Sequence, residues 1–113
     1  MAECVFCNIV EGKLPAKQIY EDEEKMAFLD INPQAPVHIL IVPKAHIAGM
    51  NDIEEKHQGL LGRTLLLVKK LAADHNLEAG YRTVINCGRQ AGQEVFHLHV
   101  HLLGGRLFTW PPG

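Results

Sequence analysis

The chain has 113 residues, with 11 Lys and Arg against 13 Asp and Glu, and a net charge of −2 when its seven histidines are neutral. A chain of this length makes one domain, residues 1–113, and with 47% apolar and 21% charged residues it can fill a core, which excludes a disordered tail. Its mildly acidic balance excludes charge-driven binding of duplex nucleic acid, which needs clustered Lys and Arg, and leaves only a compact anion site.

The opening string MAECVFCNIVEGK has neither a basic leader nor an apolar run ending in small residues, so no signal peptide is expected. The most apolar stretch, residues 60–73, is broken by Gly62, Arg63, Thr64, Lys69 and Lys70, short of the ~20 residues of a membrane span. A cytoplasmic location without membrane contact is expected. Three cysteines, with two in Cys4-x-x-Cys7 and Cys87 alone, point to thiols or a metal rather than to a disulfide framework.

Residues 4–10 read as a short helix with Val5 and Ile9 on one face, ended by Gly12 and Pro15. Residues 18–20 and 26–29 read as strands joined by the acidic turn Glu21, Asp22, Glu23, Glu24, its like charges held in solvent. Pro33 and Pro36 make residues 32–36 a turn. Residues 37–42 are almost wholly apolar, as suits a central strand buried on both faces, and His38 is the polar exception that needs a reason.

Asn51 or Asp52 is positioned to cap a long helix, with Glu54 and Glu55 in its first turn, His75 near its end and Asn76 as the stop. Its core stripe is Leu60, Leu61, Thr64, Leu67, Val68 and Leu71, but Leu65 and Leu66 widen the apolar arc beyond what one sheet covers. Burying a large apolar side chain is worth about 1.5–3 kcal/mol in a domain whose whole stability is about 5–15 kcal/mol. Two wet leucines therefore predict a homodimer with this helix at the interface. Residues 81–86 and 96–103 read as two further strands, and the tail Trp110-Pro111-Pro112-Gly113 fits neither helix nor central strand. The expected class is α+β, a mostly antiparallel five-stranded sheet with one long and one short helix.

Within the last strand, residues two apart face the same way, so His97, His99 and His101 project from one face while Leu98, Val100 and Leu102 enter the core. Adjacent imidazoles disfavour one another's charge, which biases the row toward neutral rings at pH 7, the state that a nucleophile or a metal ligand requires. The preceding loop, residues 87–93, carries Gly88 and Gly92 and can turn backbone N–H groups toward an anion. Two chemistries fit these residues. One histidine can attack phosphorus and form a covalent intermediate, or His-x-His can bind zinc and activate water.

The strings NPQAPVHILIVPKAH, GQEVFHLHVHLLGGR and WPPG, in that order, resemble the histidine triad (HIT) family over residues 6–113, and within it the nucleotide-binding branch that acts as purine nucleoside phosphoramidases. The resemblance implies a five-stranded antiparallel sheet that dimerises into a ten-stranded one, and hydrolysis of the P–N bond of nucleoside 5′-phosphoramidates through a nucleotidyl-histidine. It implies His99 as the nucleophile, His101 at the phosphate and leaving group, His97 orienting His99 through its backbone carbonyl, and His38 bonded into the same network. Asp30 matches the ribose-binding acid. Val5, Phe6, Ile9, Phe28, Ile31 and Leu40 match the purine pocket, and Asn86, Gly92, Glu94 and Val95 the phosphate site. Animal members carry serine where Glu94 stands, so a side-chain contact to phosphate does not transfer, and Trp110 resembles a residue lining the partner's leaving-group region. Cys4 and Cys7 match bacterial and archaeal relatives in which two thiolates join two histidines, here His46 and His97, around a zinc ion. Such a closed set of four ligands indicates a structural role, while on spacing alone the CxxC pair also fits free thiols or redox work. No organic cofactor is expected. Dinucleoside polyphosphate hydrolysis and a nucleotide-binding interaction module are the alternatives.

Overall fold

The computed structural model describes residues 4–113, so part of the string read for a leader lies outside the described residues. Helix α1 (Val5–Val10) leads into strands β1 (Gln18–Glu21), β2 (Lys25–Leu29) and β3 (Val37–Pro43). Helix α2 (Gln58–Asp74) follows, then β4 (Tyr81–Val84) and β5 (Val100–Gly104). The five strands form one sheet in the order β1-β2-β3-β5-β4, every neighbouring pair antiparallel.

The continuous apolar run of β3 is explained by cover on both faces. Alternate residues of a strand point to opposite sides: Ile39 and Ile41 pack with Leu67, Val68 and Leu71 of α2, while Leu40 and Val42 pack with Phe6 of α1 and Phe28. His38 shares the parity of Leu40 and so belongs to the α1 side. The ladder pairs Leu40 with His101, which puts both histidines on that same side of the sheet.

Several local expectations are corrected. Asn51 and Asp52 do not cap α2; residues 50–52 and 55–57 form two short 3-10 turns, and the long helix begins at Gln58. Glu54 closes a reciprocal cap with His57, whose Nδ1 accepts from the Glu54 N–H at 2.9 Å, so the acidic residues serve the turn before the helix. Asn76 does mark the stop, at φ +60°. On α1 the buried residue is Phe6, and Val5 is 46% exposed.

The acidic turn is not a solvated charge run. Lys25 is buried and pairs with Asp22 at 2.9 Å and Glu24 at 3.0 Å. Asp22 also accepts the N–H groups of Glu24 and Lys25, and Arg63 of α2 grips both oxygens of Glu24 at 2.6 and 3.0 Å. The turn thereby fastens the β1–β2 hairpin to the long helix. The predicted edge strand stops at Val84 rather than Asn86, and the last strand runs from Val100 to Gly104 rather than over residues 96–103. Upstream of Val100 the backbone leaves the ladder and Leu98 N–H donates instead to the Ile47 carbonyl.

Leu65 and Leu66 stand 59% and 66% exposed on this chain, the apolar excess that the helix pattern foretold. No helix among the described residues is long and apolar enough to cross a membrane.

Candidate active site

His101 lies in β5, while His97 sits in a bend and His99 in the irregular backbone just before the strand, so the row of imidazoles is not carried by one regular strand. The rings still gather. His99 and His101 have centroids 4.9 Å apart, and His38 Nε2 lies 2.9 Å from His101 Nδ1, a diagonal contact across β3 and β5.

The backbone assigns the proton on each ring. A carbonyl can only accept, so a ring nitrogen facing one carries hydrogen. His97 Nε2 donates to the Pro43 carbonyl at 2.7 Å, which leaves its Nδ1 with a lone pair. His99 Nδ1 donates to the His97 carbonyl at 2.7 Å, which leaves its Nε2 with a lone pair. An amide works in the opposite sense: Gln34 N–H donates to His38 Nδ1 at 3.0 Å, so the proton of neutral His38 is on Nε2. That proton points to His101 Nδ1, with an oxygen of Asp30 3.4 Å from the same nitrogen. Neutral His101 then carries its own proton on Nε2.

Neutrality is enforced first by burial. His101 is pushed down to about 4 by desolvation, with His99 and His38 adding to it and Asp30 opposing. Burial also lowers His38, against the pull of Asp30. It lowers His97 as well, where Pro43 opposes and His46 and His99 assist. Mutual repulsion of the rings, the cause anticipated from their spacing, is secondary.

Phe6, Phe28 and Leu40 are buried together, with Ile9 and Val95 packed on them. Phe6 presents an edge contact to Phe28 at 5.5 Å, to His97 at 5.9 Å and to His99 at 5.0 Å. Ile31 stands outside this cluster, 98% exposed. It adjoins Asp30, whose other oxygen accepts the Asn32 N–H at 2.8 Å. Asn86 is half-buried beyond β4, and Glu94 is exposed. Gly92 takes φ +88°, a backbone conformation open to glycine.

One residue escaped the sequence reading. Gln93 is buried, and its side chain accepts from Gly88 N–H at 2.8 Å while donating to the carbonyls of Ala48 at 2.9 Å and Val95 at 3.2 Å. It fixes the shape of the glycine loop. An amide in such a loop was the only signal, and nothing local says that it turns inward.

Cys4, Cys7, His46 and His97 bring four ligand atoms within 4.8 Å of one another. Cys4 Sγ to His97 Nδ1 is 3.3 Å, Cys7 Sγ to His46 Nδ1 3.3 Å, Cys7 Sγ to His97 Nδ1 3.5 Å, and the two Nδ1 atoms are 3.1 Å apart. Tetrahedral zinc, with Zn–S near 2.3 Å and Zn–N near 2.0–2.1 Å, spaces its ligands about 3.3–3.8 Å apart, so the quartet fits. The Pro43 carbonyl, by holding the Nε2 proton of His97, also presents the Nδ1 lone pair to that centre, as an outer-shell partner of a metal ligand does. Burial and the neighbouring Cys4 push the Cys7 thiol up to about 11, so a cation that binds must displace its proton. A second group, Asp30, His38 and His101, also lies close, but its nitrogens are already joined in the hydrogen-bond chain. Among the described residues neither group contains His99, so the geometry gives no site in which His97 and His99 share a catalytic zinc.

The family profile described as HIT domain matches residues 11–107. A 14 kDa zinc-binding protein of Zea mays is 50% identical over 111 residues, covering 96% of this chain and 87% of its own. A crystal structure of a HIT family hydrolase from Legionella pneumophila superposes with a TM-score of 0.96 at 52% identity, over 98% of this chain and 100% of that one. The histidine triad nucleotide-binding protein from Candida albicans is similar at a TM-score of 0.82 and 35% identity, over 96% of this chain and 83% of that one.

Proposed function

The chain belongs to the HIT domain family, and on that premise we propose that it is a single-domain hydrolase over residues 1–113 that cleaves the P–N bond of purine nucleoside 5′-phosphoramidates. The observation that carries this reading is His99, a buried imidazole whose Nδ1 proton is committed to the His97 carbonyl and whose Nε2 therefore offers a lone pair. The names of its relatives, one a hydrolase and one a nucleotide-binding protein, support the same class.

In this reading His99 Nε2 attacks the α-phosphorus, and the P–N bond breaks as the leaving nitrogen takes up a proton from solvent and departs as the amine. The Nδ1–H bond to the His97 carbonyl steadies the positive charge that the ring acquires. His101 Nε2–H, aimed by the His38 chain, donates to the phosphoryl oxygens as negative charge builds on them. Water then displaces the ring from phosphorus and releases a proton to solvent, the nucleoside monophosphate leaves and His99 regains its lone pair.

Phe6, Ile9, Phe28 and Leu40 hold the purine, with Ile31 closing on it from the Asp30 side, and Asp30 accepts from the ribose hydroxyls. Asn86, Gly92, Glu94 and Val95 receive the phosphate, Glu94 through its backbone because a carboxylate repels the anion. Cys4, Cys7, His46 and His97 hold a structural zinc, which supplies cross-linking rather than chemistry at phosphorus. The exposed Leu65 and Leu66 are covered by a second copy, whose Trp110 reaches the leaving-group side.

Hydrolysis of adenosine 5′-phosphoramidate by the wild type, by His99→Ala and by a chelator-treated sample tests the reading. Turnover by the wild type, none by His99→Ala, and turnover that persists at a reduced rate after chelation are expected. A rate abolished by chelation in folded protein that still binds nucleotide with its wild-type affinity replaces this reading with metal-activated water. No turnover by the wild type leaves a nucleotide-binding module.

A further inference from the structure

The metal quartet and the apolar pocket are built on the same short helix. Cys4 caps α1, its Sγ accepting from Cys7 N–H at 3.3 Å, and Phe6 lies between the two cysteines as the buried residue of the helix. Six residues are far below the ~12–15 at which a helix becomes marginally stable alone in water, so the position of α1 comes from its tertiary anchors. One anchor is the packing of Phe6 on Phe28 and Leu40. The other is the pair of thiols, which reach Nδ1 of His97 and His46.

We propose that a soft divalent cation held by Cys4, Cys7, His46 and His97 is the clamp that sets Phe6 against His99, so that its occupancy governs nucleoside affinity and the orientation of the nucleophile. This rests on the reading of His99 and the purine pocket given above. His97 works at both ends of the clamp: its Nδ1 faces the thiols, and its carbonyl holds the Nδ1 proton of His99 at 2.7 Å. Phe6 restrains the same ring from the side, 5.0 Å away with the planes 87° apart. The tautomer and the plane of His99 are thus both fixed by residues tied to the metal centre. Without the cation these donors are joined only by weak thiol–imidazole contacts of 3.3–3.5 Å in place of coordinate bonds. α1 thereby loses its stronger anchor, and Phe6 is released with it. Phe6 is a positioning residue for His99 and a wall of the purine pocket, and it does not touch phosphorus.

The test compares protein loaded with one equivalent of zinc, protein stripped by a chelator under reducing conditions, and the variants Cys7→Ser and Phe6→Leu. The readouts are ring-to-ring NOEs between Phe6 and His99, amide exchange in α1, and calorimetric titration with adenosine 5′-monophosphate. Stripping and Cys7→Ser are expected to remove the NOEs, speed exchange in α1 and weaken nucleotide binding about tenfold, the scale of one or two aromatic edge contacts. Phe6→Leu is expected to keep one zinc per chain and show the same weakening. Unchanged NOEs and unchanged affinity after stripping overturn the clamp. If the monophosphate binds no form at all, the nucleotide reading falls separately, and the NOEs, lost or kept on stripping, still decide the clamp. If stripping unfolds the chain, the folded Cys7→Ser variant decides: unchanged NOEs and unchanged affinity overturn the proposal, and the loss of both upholds it.

Discussion

His99 Nδ1 lies 2.7 Å from the carbonyl oxygen of His97, two residues earlier in the chain. A strand residue turns its carbonyl to a neighbouring strand, but His97 lies in a bend and the ladder does not begin until Val100, which frees this carbonyl for a side chain. The bond holds one ring nitrogen protonated and the other bare. Replacing His99 by Ala should lower turnover by about 10³-fold or more, the scale of losing a nucleophile. Unaltered circular dichroism beside a rate within tenfold of wild type would assign the chemistry elsewhere.

His38 orients His101 through one hydrogen bond of 2.9 Å. His38→Phe keeps the volume and removes the donor, freeing His101 Nδ1 to take the proton and turning a lone pair toward the phosphate. Turnover should fall by about 10²-fold, within the range of a misplaced hydrogen-bond donor. Rescue by His38→Asn or His38→Gln, measured as kcat at saturating substrate, distinguishes orientation from packing.

His101 is held near 4 in the folded chain by burial, against an ordinary value of about 6.5. Below the ordinary value the unfolded chain binds the extra proton and the folded chain does not, so stability falls as pH drops from about 6.5 to about 4 and levels off below that. Urea midpoints measured across this window should decline, and His101→Gln should flatten the decline. An identical pH profile for the variant contradicts the assignment.

Lys25 is buried between Asp22 and Glu24. Asp22→Ala strips one of two partners from a desolvated cation and the acceptor of two backbone N–H groups, and should cost about 1–3 kcal/mol, whereas Lys25→Met, which removes the charge and keeps the stem, should be milder. Denaturant titration of both variants checks the order. Equal losses would mean that the stem, not the charge, carries the contribution.

Gln93 stitches Gly88, Ala48 and Val95 together. Gln93→Leu leaves those backbone groups without their partner and should cost about 1–3 kcal/mol of stability. It should also weaken adenosine 5′-monophosphate binding, because the phosphate loop loses its shape. A drop in stability with unchanged affinity would confine Gln93 to the fold.

Leu65→Glu with Leu66→Glu tests the covered helix face. Wild-type protein at micromolar concentration should show twice the chain mass by light scattering, and the double variant the single mass with its fold retained. A single mass for the wild type removes the dimer.

The order and type of the main elements, the clustering of three histidines ahead of the final strand and the CxxC thiol pair are legible in the sequence. Those features are local: the period of a strand, the width of a helical stripe and the spacing of CxxC are written into neighbouring residues. Which nitrogen of each ring carries its proton is set by the folded chain, because it follows from the Pro43 carbonyl, the Gln34 amide and the register that brings His38 to His101 across 63 positions of chain. The tertiary structure also decided that the acidic turn is an ion-pair clasp closed by Arg63, and that the last strand is cut short so that the His97 carbonyl is free. Hydrogen bonds between distant segments depend on register and burial, and no pattern within a few residues encodes either.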